Sequence, residues 1–147
     1  MRYFKLLVIS ILIGPSLFAQ PDSTHNIKPG GDSKSYATLY VYRQKSFVGS
    51  MISYNLSVND STIWRMKNNS KYIIRLYKEG ETELTAKTEK KSSVRINVEF
   101  GKEYYLKCGV KTGIMAGRPQ LELIDPEQGK LDFQNVEGRN KESEKEN

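Results

Sequence analysis

From Tyr36 onward, apolar and polar residues take turns along the chain with a period of two, the spacing of strands that turn one face to a core. In YATLYVYR, Ala37, Leu39 and Val41 fall on one face, and Tyr36, Thr38, Tyr40 and Tyr42 on the other. SYNLSVNDSTIWRMKN reads as two runs about Asn59-Asp60-Ser61, a hairpin signal. KYIIRLYKEGETELTAKTE gives two more about Glu79-Gly80, with Tyr72, Ile74 and Leu76 sharing a face. SVRINVEF alternates most strictly and sets Val94, Ile96, Val98 and Phe100 against Arg95, Asn97 and Glu99. Gly101-Lys102 turns the chain into EYYLKCGVK; PQLELID and KLDFQ supply the last runs, with DPEQGKLD read as a Pro-Gly turn. No stretch of the domain has a convincing helical period. About eight short strands, spaced roughly 8–12 residues apart, are the pattern of an all-β domain. Isolated hairpins are not stable, so the apolar faces must close on one another. The sequence therefore predicts a single two-sheet antiparallel β-sandwich, with a small β-barrel as the alternative closure.

One stretch breaks the alternation. GVKTGIMAGRPQLELID carries Gly109, Gly113 and Gly117, an Ile114-Met115 pair and an Arg118-Pro119 step. Glycine permits positive φ or a close backbone approach, and Pro119 removes a ladder donor where a strand begins. The expectation is an architectural crossover between strands that need not be hairpin neighbours, with Ile114 and Met115 plugging an open end of the sandwich. The functional alternative is a binding loop made of Ile114, Met115 and Arg118, because loops at sandwich ends carry recognition.

The two ends of the chain read differently from this middle. MRYFKLLVISILIGPSLFAQ has the layout of a secretory signal: basic Arg2 and Lys5, an apolar core from Leu6 to Phe18, then Ala19 as a small residue for cleavage. Its core of about 13 residues is too short for a helix that crosses a bilayer, which takes about 20. Residues 20–35 are polar and rich in Gly, Pro and Ser, the composition of a flexible leader. Residues 36–133 hold the sandwich pattern, and residues 134–147 are almost all charged or polar, as in a disordered tail. Taking Arg2 and Lys5 from the formal charge of +6 leaves +4 for a mature chain, a modest basic balance that does not require an acidic polymer as partner.

Little in the composition points to catalysis. The single histidine, His25, lies in the leader, and the single cysteine, Cys108, shares a strand face with Tyr104, Leu106 and Val110. Cys108 therefore reads as a small buried hydrophobe and forms no disulfide within the chain. One histidine and one cysteine make no metal cluster, no serine has an evident base partner, and the glycines do not lie between a strand and a helix as a phosphate loop requires. The expectation is a protein that is not an enzyme, with no cofactor, no metal and no nucleic-acid partner. A second candidate surface consists of aromatic residues opposite the expected core positions: Tyr40, Tyr42, Trp64 and Tyr105, with Tyr36 and Tyr77 beside them. If clustered, they would form a platform that stacks on sugars or peptides.

Two segments carry a family resemblance. ATLYVYRQKSFVGSMISYNLSVND resembles the opening of the bacterial family called domain of unknown function 2846: a strand ending in Tyr-Arg, a Gly-Ser turn, and a strand with Val-Asn. KEYYLKCGVKTGIMAGRPQLELID is similar to that family's end, with its Tyr-Tyr strand, Gly-rich crossover, Gly-Arg-Pro and Leu-Glu-Leu strand. The likeness runs over about residues 36–133. It implies a small exported or lipid-anchored envelope protein with a β-sandwich fold, and it brings no catalytic residues. Many members carry a lipidated cysteine after the signal; Gln20 stands there in this chain, which favours a periplasmic or secreted form without a stable membrane anchor. The resulting expectation is a non-catalytic binding module for an envelope protein or glycan. The alternatives are a structural envelope component without a small ligand and, further off, an enzyme or enzyme inhibitor.

Overall fold

The computed structural model describes residues 35–111, 117–138 and 140–143. The expected signal, the expected leader up to residue 34, and Ile114 and Met115 lie outside the described residues. Nine strands and one helix follow in order: β1 (Ala37–Arg43), β2 (Tyr54–Val58), β3 (Ser61–Met66), β4 (Ser70–Leu76), β5 (Gly80–Lys87), β6 (Lys91–Val98), β7 (Glu103–Lys111), β8 (Arg118–Ile124), α1 (Pro126–Gln134) and β9 (Asn140–Ser143). They form a five-stranded sheet of order β8-β7-β1-β4-β9 and a four-stranded sheet of order β3-β2-β5-β6. This is an all-β sandwich, not a closed barrel. The sheets are not purely antiparallel: β1 runs parallel to β7, and β4 parallel to β9. Such pairs arise because the chain changes sheet between β1 and β2, β3 and β4, β4 and β5, and β6 and β7.

Alternation places the core as expected. Leu39, Val41, Ile74 and Leu106 of the first sheet meet Leu56, Met66, Leu84 and Val98 of the second, all fully buried. The β2–β3 turn has Asn59 at φ 45° and Asp60 at φ 66°, two consecutive left-handed residues whose twist suits a two-residue hairpin. Asn59 also ties that turn to β5: its N–H donates to the Glu83 carbonyl at 2.9 Å, and its side-chain oxygen accepts from the Glu83 N–H at 3.0 Å. Arg118 and Pro119 pair with Lys111 and Val110, so β7 and β8 are ladder neighbours rather than strands joined by a long crossover. Pro119 is tolerated there because β8 is an edge strand.

The segment read as a Pro-Gly turn and a last strand is helix α1. Asp125 caps it by accepting from the Glu127 N–H at 3.0 Å, and Pro126 takes a first-turn position where its missing N–H costs nothing. Gly129 is not a turn residue. It lies in the helix where α1 presses on the first sheet, and a Cβ there would overlap Cβ and Cγ of Tyr105. The helix forms a third layer, burying Phe133 and then Val136 against Tyr42 and Tyr105, with Tyr40, Ile73 and Ile124 at the margin. Ordered structure thus continues past residue 133 into the segment expected as a tail, with Val136 buried and residues 140–143 forming β9.

Candidate functional site

Strand β1 ends in a residue that pattern reading passes over. Arg43 is 2% exposed and is the largest fully buried side chain among the described residues. Its position on the inward face follows from alternation with Val41 and Leu39. A guanidinium there must find acceptors. Nη1 donates to the Ile52 carbonyl and Nη2 to the Gly49 carbonyl, both at 2.7 Å, and the group lies 5.6 Å from the centre of the Tyr54 ring. Both carbonyls belong to the loop of residues 44–53 between β1 and β2. The arginine therefore fastens the loop from beneath with two charge-assisted hydrogen bonds.

Other contacts hold the same loop. Ser46 N–H donates to the Asn68 side-chain oxygen at 3.0 Å, and the Asn68 amide donates back to the Ser46 carbonyl at 2.9 Å. Ser50 N–H bonds the Phe47 carbonyl, and Ile52 N–H the Gly49 carbonyl. Gly49 has φ +70°, and a Cβ there would lie 2.8 Å from Val110, so both the turn and its seat on β7 call for glycine. Below, the Tyr54 hydroxyl donates to the Gly109 carbonyl at 2.9 Å. Beside it, burial pushes the Cys108 thiol up to about 12, against the opposing pulls of Tyr54 and Arg43, so Cys108 is an inert member of the core.

What this fastened loop holds up is apolar. Phe47 is 96% exposed, Met51 95% and Val48 52%. Beside Met51 lies a depression of about 470 Å³ lined by Ser50, Ile52, Ser53, Arg65, Lys67 and Asn68. The strand directions bring the 67–69, 88–90 and 135–138 turns to the same end of the sandwich, together with Lys111 and Arg118. Thr88 Oγ1 donating to the Gly117 carbonyl at 3.1 Å joins two of these segments.

The sequence-predicted aromatic residues do not form one exposed platform. Tyr40 and Tyr105 do stack, with ring centres 4.7 Å apart, but Tyr105 and Tyr42 are buried under α1, where Phe133 meets Tyr40 and Tyr42 edge-on. Burial and the nearby Glu103 carboxylate raise the pKa of Tyr40; burial and Asp132 raise that of Tyr42. Asp132 accepts from Tyr42 at 3.2 Å and from Gln128 at 2.8 Å, and Lys107 lies 3.4 Å away. Burial works to raise the Asp132 pKa, but these partners more than offset it and leave the carboxyl below its ordinary value. The network fastens α1 to the sheet. Trp64 lies elsewhere and points inward, stacked on Tyr72 at 4.9 Å. A register shift at Leu56/Ser57 leaves Ile63 as an extra residue on β3 and pairs Trp64 with core residue Leu56, which inverts the alternation. Tyr36 and Tyr77 meet at the opposite end of the sandwich, 5.8 Å apart. Of the other candidate set, Arg118 is exposed at the start of β8. Among the described residues, no three His, Cys, Asp or Glu side chains come together as a metal site.

Comparison with known proteins adds the family. The sequence model described as "Protein of unknown function (DUF2846)" matches residues 33–119. The chain belongs to the DUF2846 family. An uncharacterized protein of Haemophilus influenzae strain Rd is 30% identical over 98 residues, 66% of this chain and 57% of that relative, so the match spans little more than half of the relative's length. The DUF2846 region runs from before β1 to the second residue of β8. It takes in Arg43 and the loop it fastens, and leaves α1 and β9 outside. No helix among the described residues is long and apolar enough to cross a membrane.

Proposed function

We propose that this DUF2846 protein is an exported, non-catalytic binding domain of the bacterial cell envelope that meets its partner through the sandwich end carrying the 44–53 loop. One observation carries the reading: a buried arginine holds in place a loop whose tip exposes Phe47, Val48 and Met51. Chains of this kind are normally turned inward. Contiguous apolar exposure on a fixed backbone marks a contact surface. Export rests on the Arg2/Lys5, Leu6–Phe18 and Ala19 layout. The absence of catalysis in this reading rests on the inert environment of Cys108 and on carboxylates, such as Asp132, that are engaged in holding the fold.

The test is capture from envelope extract by the wild-type protein and by a Phe47→Ser/Met51→Ser variant. Both side chains are exposed, so the variant keeps its melting temperature and loses its captured partners. Equal capture by the two proteins would reject the 44–53 loop as the contact.

A further inference from the structure

The geometry points to an anionic lipid surface as what the 44–53 end meets, with Phe47, Val48 and Met51 entering the headgroup–acyl boundary while basic side chains around them engage lipid phosphates. This rests on the reading of that loop as a contact surface and names its partner.

Charge separates the two ends of the sandwich. Strand directions place exposed Lys45, Lys67, Lys87, Lys90, Lys111 and Arg118 at the end that bears the loop, against Glu89 and Glu137. The opposite end gathers the exposed acids Asp60, Glu79, Glu81, Glu99, Glu103 and Asp125, against Lys78 and Lys102, the latter paired with Glu99 at 2.7 Å. There is no acidic residue in 35–59, in 61–78 or in 104–121, the three segments that supply most of the basic end. A polarity of this kind orients the molecule end-on toward a negative surface before contact.

The apolar tip selects among negative partners. Phe47 and Met51 protrude almost fully exposed. A nucleic acid or an acidic chain would engage the lysines and leave the tip in water. A bilayer interface takes both, since an apolar wedge enters about 5–10 Å while cations stay at headgroup level. The depression beside Met51 supplies a place for the headgroup: Arg65, Lys67, Asn68 and Ser53 are among the residues that line its roughly 470 Å³, and Arg65 Nε donates to Ser53 Oγ at 2.9 Å, which sets the orientation of the guanidinium. The fastening by Arg43 acquires a purpose in this setting, because a tip already ordered loses less entropy on insertion.

The experiment is co-sedimentation with vesicles of phosphatidylcholine alone and of phosphatidylcholine mixed with phosphatidylglycerol. It uses the protein as exported and purified, so that any lipid affinity of the N-terminal segment is common to wild type and variants. Wild type is expected to bind the mixed vesicles, and to bind them less as salt is raised. Phe47→Ser and Met51→Ser should each weaken binding more than about tenfold. Lys45→Gln and Lys67→Gln should each weaken it about fivefold, and circular dichroism should show all four variants folded. Equal binding by wild type and the Phe47→Ser variant, or equal binding to neutral and mixed vesicles, overturns the proposal. A parallel capture from delipidated envelope extract separates the two levels. Loop-dependent capture there without vesicle binding overturns the lipid surface but leaves the loop as a contact for a protein or glycan. No binding in either arm overturns both.

Discussion

Replacing Arg43 with methionine should release the 44–53 loop while leaving the sandwich folded. Methionine keeps an unbranched apolar stem in the core and removes the two donors to the Gly49 and Ile52 carbonyls. Hydrogen bonds from a charged donor contribute about 1.5–3 kcal/mol each, so the gross loss is about 3–6 kcal/mol. Two effects reduce it. The guanidinium no longer has to be held out of water, and the freed carbonyls belong to the half-buried Gly49 and Ile52, where water can replace part of what they lose. A net loss of about 2–4 kcal/mol follows, concentrated in the loop. Amide hydrogen exchange reads it directly. Ser50 and Ile52 N–H groups bond within the loop, and a loss of about 2 kcal/mol in local stability speeds their exchange about thirtyfold. Core amides such as that of Leu56 should slow or quicken only with global stability. Arg43→Lys should resemble the methionine variant, because one ammonium does not reproduce a fork that spans two carbonyls. Unchanged exchange at Ser50 and Ile52 in both variants would refute the idea that Arg43 holds the loop.

Other expectations follow from named contacts. Ile96 is 6% exposed and Asn97 faces solvent, so Ile96→Ala should cost about 2–5 kcal/mol and Asn97→Ala within about 0.5 kcal/mol by urea denaturation; equal costs would contradict the face assignment. Gly129→Ala would ordinarily gain roughly 1 kcal/mol in a helix, but the new Cβ meets the rigid base of Tyr105, so a lowered melting temperature is expected and a raised one would show that α1 docks loosely. Asp132 has a folded pKa below its ordinary value, so its stabilisation is complete above about pH 4 and is lost as pH falls through the folded value. The melting-temperature gap between wild type and Asp132→Asn should accordingly be widest near neutral pH and close in acid; a gap independent of pH would remove Asp132 from the fastening of α1.

The parts of the fold legible in the sequence were those written in local period and turn chemistry. Val94, Ile96 and Val98 marked a face, and Asn59-Asp60 marked the tightest hairpin, because each signal lies within a few residues of its effect. Parallel pairing of β1 with β7 was not legible, since it joins residues more than sixty positions apart through four changes of sheet. The helix did leave a signal, Asp125 before Pro126, which Gly129 masked because a glycine admitted for close packing looks the same as one admitted for a turn. Trp64 reads as outward-facing in the sequence because one bulged residue, which reverses every side chain beyond it, leaves no local signal. The candidate site was least legible. Arg43 in a run of tyrosines reads as a polar strand end, and the exposure of Phe47 and Met51 becomes visible only when the loop's anchors are known.

Oxidative footprinting of the protein, free and bound to an envelope preparation, tests the central claim most directly. Met51 is 95% exposed at the loop tip, Met66 is fully buried, and Leu131 is 56% exposed on α1, so the three report the proposed contact, the core and a different face of the molecule. The account predicts that Met51 and Phe47 become protected on binding while Leu131 stays as reactive as before. Unchanged Met51 oxidation together with protection of Leu131 would contradict it and move the contact surface to the helix-covered face.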